Sequence, residues 1–327
     1  MKAAVYTRYG SPDVVTIDEV SKPKPAVGEA LIKIHTTTVS RTDCGTLRGH
    51  PFFARLFMGF PYPKNPVLGM DFAGTVEAIG AGVKSFKPGD RVFGMSPDKF
   101  GAHSEYLCIL ENGAVASLPD GVSFDEAVVS EGAWYANCGL TYLDLGPNHS
   151  ILIYGASGAI GTSAVQLAKF YGATVTAVVA TEHLDLVKSL GADHVIDYTA
   201  EDFTQIGETF NFVFDAVGKT TFFRCRRLLK AGGTFAATDL GPWGQTVLLA
   251  LWSTLTRSRR IAIAIPKNSE VFVDFLKARI EAGDFRAVID RRYPLEAIVD
   301  AYRFVESERK TGIVVINVVP ANESKQA

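Results

Sequence analysis

Residues 151–171 read ILIYGASGAIGTSAVQLAKFY: an apolar run, a glycine-spaced turn, then a helical pattern. Glycines at 155, 158 and 161 suit close approach of backbone amides to an anion. The unpaired N–H groups of a helix start face whatever lies beyond the strand, and a pyrophosphate accepts them. Gly158 removes a Cβ that would stand between backbone and phosphate, and Gly161 lets the helix lie against the strand. Ala156, Ser157, Gly158, Ala159, Ile160 and Gly161 are therefore the expected dinucleotide cradle. The usual G-x-G-x-x-G starts with glycine; here Ala156 holds that place, preceded by Gly155. An NAD site tends to place an acid at the end of the next strand, where it bonds the ribose hydroxyls. That strand, TVTAVV, ends at Val179, so the position falls near Ala180, where no acid sits, with Thr181, His183 and Tyr198 further on. A hydroxyl, an imidazole and a phenol suit a 2′-phosphate, so NADPH is the expected cofactor. Glu182 is the counter-example, expected as an exposed first-turn acid. Glu131, within AVVSEGAWYA, is the other chemical candidate, because an unpaired buried carboxylate is costly. Either a cation such as Arg41 neutralises it, or its pKa rises and it becomes a proton donor.

These residues need elements to hold them. From residue 151 apolar strands alternate with helices, which predicts a doubly wound parallel sheet covered on both faces. Residues 1 to about 120 carry short β-type runs broken by Gly and Pro, which predicts a barrel-like unit. Ser123, with Glu126 three residues later, predicts a capping box opening a helical stretch to about residue 145. Thr42 and Asp43 open a short helix, with Asp43 in a capping role. Residues 270–282 and 295–307 read as helices and GIVVINVV as a last strand. At 327 residues, two domains are expected. The formal charge of −2 argues against a broad electrostatic grip on nucleic acid or an anionic membrane. The apolar run near residues 247–252 is far shorter than the roughly 20 residues of a membrane span. Four cysteines, 44, 108, 138 and 225, form no CxxC pair and read as reduced thiols; with no N-terminal targeting pattern, a cytoplasmic protein is expected.

NPVLGMDFAGTVEAIGAGVKSFKPGDRVFG (residues 65–94), the GASGAIG turn, SLGADHVIDY (189–198) and RKTGIVV (309–315) together resemble the medium-chain dehydrogenase/reductase superfamily. The resemblance spans nearly the whole chain. It implies an α/β protein with a GroES-like β-barrel catalytic domain, residues 1–122 and 268–327, around a Rossmann cofactor domain, residues 123–267. It also implies an active site in the cleft between the two. The superfamily's zinc alcohol dehydrogenases hold a catalytic metal with Cys, His and a third Cys or Asp. Ser40 stands where the Cys would be, Met70 replaces the His, Asp71 replaces its neighbouring Glu, and Glu131 falls near the third ligand. Zn²⁺ prefers thiolate and imidazole, so this set predicts no metal. The four-cysteine structural-zinc lobe is missing too.

The chain thus looks like the zinc-free branch, similar to NADPH:quinone oxidoreductases and enoyl reductases. Conjugated acceptors spread the developing negative charge, so their reduction needs no Lewis acid. Quinone oxidoreductases carry Asn where Ser40 stands, and enoyl reductases often a Tyr in a Gly-x-Tyr-Pro loop where this chain has RGHPFF. Candidate chemistry residues are Ser40, Arg41, His50, Tyr62 and Glu131, and Val217 with Gly218 would line the nicotinamide. The expected reaction is NADPH-dependent reduction of quinones or α,β-unsaturated carbonyl compounds. The alternatives are a 2-enoyl-thioester reductase and a non-catalytic NADPH-binding regulator. Residues 243–260 are expected to cap the acceptor pocket or pair two subunits, and the bare strand at 261–265 favours a homodimer.

Overall fold

A computed structural model describes residues 1–239, 249, 261–263 and 267–319. The chain separates into two compact units. The first holds Met1–Glu131, Asn268–Ala282 and the described residues from Arg286 on; the second holds Gly132–Lys267 and Gly283–Phe285.

The first unit is mostly antiparallel. A seven-stranded sheet runs β14 (Ile289–Pro294), β15 (Ile313–Asn317), β3 (Glu29–Val39), β4 (Asp71–Ile79), β5 (Arg91–Met95), β7 (Val115–Ser117), with β6 (Tyr106–Leu110) also paired to β3. β1 (Lys2–Val5) and β2 (Thr16–Glu19) form a separate ribbon. β3 bonds three partners, and its long run of β-branched residues suits a strand buried along its length. Its inward side chains Ile32 and Ile34 pack with Phe72, Val92 and Leu107 in one core. The β3–β4 pairing shifts register between Leu31/Ile32 and between Ile34/Thr36, and β3 runs on into the helix α1 (Arg41–Arg48). α1 starts at Ser40, whose hydroxyl accepts from the Asp43 N–H while the Asp43 carboxylate accepts from the Ser40 N–H. This reciprocal cap satisfies two helix-start donors and fixes where β3 ends.

The second unit is a six-stranded parallel sheet ordered β10 (His194–Asp197), β9 (Thr174–Val179), β8 (Ser150–Tyr154), β11 (Phe210–Asp215), β12 (Leu229–Ala237), β13 (Ile261–Ile263). Every pair is parallel, so each strand is reached by a crossover. Strand order reverses between β8 and β11, the place where such sheets take ligands at their carboxyl ends. The helix after β8, Ala159–Phe170, buries Ala164, Val165, Leu167 and Ala168. Leu152, Val178, Phe203, Val213 and Phe235 form a core with Cys225 and Leu228. The capping box at Ser123 and Glu126 is present, but the helical stretch is split into Phe124–Ala127 and Ser130–Tyr142. β13 ends the sheet among the described residues. Residues 243–248, 250–260, 264 and 265, expected to cap a pocket or extend that edge, lie outside them.

Candidate functional site

The glycine turn of the second unit has a steric logic that differs from residue to residue. Gly155 sits at φ +75°, the left-handed region that L side chains avoid, and a Cβ there would lie 2.6 Å from the Val217 Cγ atoms. A Cβ on Gly161 would meet the Gly155 carbonyl oxygen at 2.2 Å and the Ala156 Cα at 2.6 Å. Helix and turn are therefore in backbone contact, as the sequence spacing requires. Gly158 is different: its φ is −75°, and a Cβ would find nothing closer than 3.8 Å. The protein itself has room for a side chain there. Gly158 is also the N-cap of the following helix, with no side-chain cap for its first N–H groups. Ala156, Ser157, Ala159 and Ile160 complete the cradle.

The neighbouring loop is held by Asp215, a buried carboxylate the sequence analysis gave no role. It accepts from the N–H groups of Val217 at 3.1 Å, Gly218 at 2.9 Å and Thr220 at 3.0 Å. Burial holds its pKa above the usual carboxylate value, with those amides pulling the other way. Gly218 takes φ +71°, and Val217 comes against Gly155, so the structure brings the DAVG loop and the glycine turn together.

At the end of β9, Ala180 is buried and Thr181 follows. The Thr181 hydroxyl donates to Asp197 Oδ2 at 2.6 Å, and the Thr199 hydroxyl donates to Oδ1 at 2.6 Å. Asp197, from the adjacent strand end, is the acid that reading one strand at a time misses: parallel pairing of β9 with β10 brings it there. The threonine hydroxyls hold its carboxyl below the ordinary range. His183 Nε2 lies 3.9 Å from Glu182 Oε1, and Tyr198 is exposed. Beside Tyr198 opens a cavity of about 270 Å³, lined also by Tyr154, Asp202, Phe203 and Arg224. Arg224 lies over the Phe203 ring at 4.9 Å and was another residue without a sequence signal.

In the first unit three carboxylates converge below α1. Asp43 is fully buried; besides the Ser40 cap, its Oδ1 accepts from Gly69 N at 3.1 Å. Asp71 Oδ1 accepts from the Glu131 backbone N–H at 2.8 Å, and Oδ2 from the Thr38 hydroxyl at 3.4 Å. Burial raises the pKa of all three; the neighbouring carboxylates add to it at Asp71 and Glu131, while hydrogen bonds from Ser40 and Gly69 oppose it at Asp43. Glu131 is pushed up to about 7, first by burial and then by the Asp43 charge, while the Thr42 and Ser40 hydroxyls and Lys310 favour its anion. Burial lowers Lys310 to about 8, with the Glu131 charge opposing. Behind them His103 Nε2 bonds the Thr38 carbonyl at 2.8 Å. A carbonyl only accepts, so Nε2 carries the proton and Nδ1 accepts from the Tyr302 hydroxyl at 3.2 Å. Burial depresses His103 to about 4, which keeps it neutral.

Ser40 and Glu131 are thus brought together, joined by Thr42. Arg41 is not the partner of Glu131: its Nη1 donates to Glu308 Oε1 at 2.5 Å on the exposed side of α1. The first residue of a helix points away from the strand it leaves, so sequence proximity to Ser40 did not translate into contact. His50 and Tyr62 are exposed, Tyr62 at 68%.

For a metal, Ser40, a buried Met70 and Glu131 supply neither thiolate nor imidazole. Among the described residues no three His, Cys, Asp or Glu side chains are grouped to hold a metal ion.

Two family models match: an alcohol dehydrogenase GroES-like domain over residues 26–136, and a zinc-binding dehydrogenase over residues 190–316. The chain is 33% identical to the 2-methylene-furan-3-one reductase of Solanum lycopersicum, covering 98% of this chain and 80% of that protein. It is 30% identical to the chloroplastic NADPH-dependent alkenal/one oxidoreductase of Arabidopsis thaliana over the same shares. Its structure superimposes on the quinone oxidoreductase from Coxiella burnetii with a TM-score of 0.86 at 26% identity, covering 98% and 99% of the two chains.

Proposed function

The chain belongs to the zinc-independent, quinone-oxidoreductase-like branch of the medium-chain dehydrogenase/reductase superfamily, and on that premise we propose that it reduces quinones or α,β-unsaturated carbonyl compounds with NADPH. It is an NAD(P)H-dependent oxidoreductase, related to the quinone, enone and alkenal reductases. The coenzyme, when bound, supplies the hydride. The carrying observation is the glycine cradle, where Gly158 has no steric partner in the protein and the helix start has no cap. Its amides bind the pyrophosphate, and the Asp215-braced loop places Val217 and Gly218 along the nicotinamide side. Thr181, His183 and Tyr198 take the 2′-phosphate, with Arg224 the cation in the cavity beside Tyr198. Glu131, protonated in its carboxylate cluster, is the proton donor to the acceptor oxygen, and Ser40 with Thr42 orients it. Arg41, His50 and Tyr62 take peripheral roles around the acceptor.

We further propose a cytoplasmic homodimer joined along β13, which ends the parallel sheet among the described residues. No described helix is long and apolar enough to cross a membrane.

An acceptor panel tests the activity: NADPH consumption with an ortho-quinone, a small enone and an enoyl thioester. The expected result is turnover of the first two. Turnover of the thioester alone would favour an enoyl-thioester reductase. Tight NADPH binding with no turnover would favour a regulator. In the same assay NADPH should give the higher kcat/KM, and Ala180→Asp should shift preference toward NADH; a clear native preference for NADH would refute the 2′-phosphate assignment.

A further inference from the structure

Residues 52–62 present a surface that a globular chain ordinarily hides. Phe52–Ala54 and Arg55–Met58 form one short helical segment. Phe52, Phe53, Leu56, Phe57, Phe60 and Tyr62 are 59–78% exposed, so large apolar side chains stand in water along the whole stretch. They are held there from beneath. Arg55 is turned inward, its guanidinium 4.5 Å from the centre of the Tyr9 ring and 4.9 Å from that of Phe52. It donates to the carbonyls of Gly49 and Arg48 at 3.1 and 2.9 Å, where α1 ends. The Tyr9 hydroxyl donates to the Gly59 carbonyl at 2.8 Å, and Phe60 meets Phe52 edge to face at 6.5 Å between ring centres. The patch is thus fixed to the C-terminal end of α1. A contiguous apolar surface of this kind marks an interaction site.

The opposite end of the same helix starts at Ser40 and Thr42, the groups beside Glu131. All of them belong to the first unit. An eight-residue helix spans about 12 Å at a rise of about 1.5 Å per residue, so that is the distance from the carboxylate site to the patch. Charge does not select the partner. From residue 44 to residue 70 the only fixed charges are Arg48, Arg55 and Lys64. Arg48 is paired with Glu306 at 2.6 Å and Arg55 faces in, which leaves little for an ionic ligand. Six exposed side chains are also few for a protein partner, since a stable interface uses about 20–30 residues a side. A single alkyl or prenyl chain fits both facts: it is neutral and narrow, and each methylene it withdraws from water adds to binding.

We propose that this loop binds the apolar tail of the acceptor, so that the preferred substrates are enones or quinones carrying a long hydrocarbon chain. The inference rests on the reductase reading: the conjugated head reacts beside Glu131 and Ser40, and the chain runs the length of α1 onto Phe52, Phe53, Leu56 and Phe57. Tyr62, placed around the acceptor, belongs to the same surface. The tail is held alike before and during hydride transfer, so the patch lowers KM and leaves kcat nearly unchanged.

A series of trans-2-alkenals with one conjugated head and lengthening chains tests it: propenal, hexenal and decenal, each with NADPH and the full-length protein. From hexenal to decenal kcat/KM should rise at least about tenfold, carried by KM. Leu56→Asp with Phe57→Asp should abolish that rise and leave kcat/KM for propenal unchanged. Phe57→Trp gives a readout that needs neither turnover nor the double variant: its emission should shift to the blue with saturated decanal and not with propanal. A series without a rise, in a protein that turns over propenal well, would overturn the tail assignment and leave the reductase reading standing. Turnover of no alkenal and no quinone would remove the reductase reading and the tail assignment with it. The assignment also falls if the tryptophan does not respond to decanal, or if the double variant keeps the full dependence on chain length. It falls equally if that variant loses propenal turnover (the patch then shapes the reacting pocket) or dissociates an oligomer (a second copy then covers it).

Discussion

Glu131 is the residue proposed as proton donor, and its protonation gives two separable tests. As a general acid with a pKa near 7, it should support turnover at acid and neutral pH and lose it as pH rises past that value. Glu131→Gln keeps the shape but removes the proton; kcat with an enone should fall about 100-fold and lose its basic limb. An unchanged pH profile in the variant would assign Glu131 a packing role. Stability gives the second test. Because its folded pKa is raised above its ordinary value of 4.5, the folded state binds the extra proton between about pH 4.5 and 7. Stability from this group is therefore complete below 4.5 and is lost as pH rises through 7. His103, depressed to about 4, acts in the opposite sense, losing stability as pH falls from 6.5. The difference between native chain and Glu131→Gln isolates the carboxyl. The variant should gain in Tm relative to the native chain on going from about pH 5 to pH 8, and a difference that does not vary with pH would show that Glu131 is not raised.

At the scale of elements, the glycine turn separates packing from binding. Gly161→Ala forces a methyl into the Gly155 carbonyl and should cost about 1–3 kcal/mol, read as a lower urea midpoint. Gly158→Ala meets no protein atom closer than 3.8 Å and should leave that midpoint almost unchanged while weakening coenzyme affinity about tenfold or more. Equal effects on affinity and stability at both positions would contradict the cradle. Asp197→Asn should raise the preference for NADPH several-fold, because it removes a negative charge beside the Thr181 hydroxyl. Kinetics with both coenzymes checks this; no change in the ratio would place the 2′-phosphate elsewhere. Much here was legible in the residues. Periodicity placed β9 and β10 at their observed bounds, and the S-x-x-E signature at Ser123 gave its capping box; at α1 the capping role of Asp43 was legible, but its reciprocal box with Ser40 was not. What was not legible depends on register between distant segments. Asp197 reaches Thr181 only because β10 pairs with β9, Asp71 reaches Glu131 across 60 residues, and Arg41 turns to Glu308 across 267. β14 carries charges at Asp290, Arg291 and Arg292 that conceal its strand pattern.

For the whole molecule, a first unit assembled from both ends of the chain predicts folding coupled between termini. The helix Ile298–Glu306 and β15 share a core with Tyr6, Leu47 and Leu68, so truncation before residue 295 should leave the first unit unfolded. The dimer assignment along β13 should appear as twice the chain mass in light scattering at micromolar concentration, and a monomer there would refute it. The most direct measurement of the central claim is isotope transfer in chelator-treated protein. NADPH deuterated at the transferable C4 position should deliver its label to the β-carbon of a small enone, at a rate that chelation does not lower. Unlabelled product, or activity that disappears on chelation and returns with zinc, would contradict metal-independent hydride transfer in this chain.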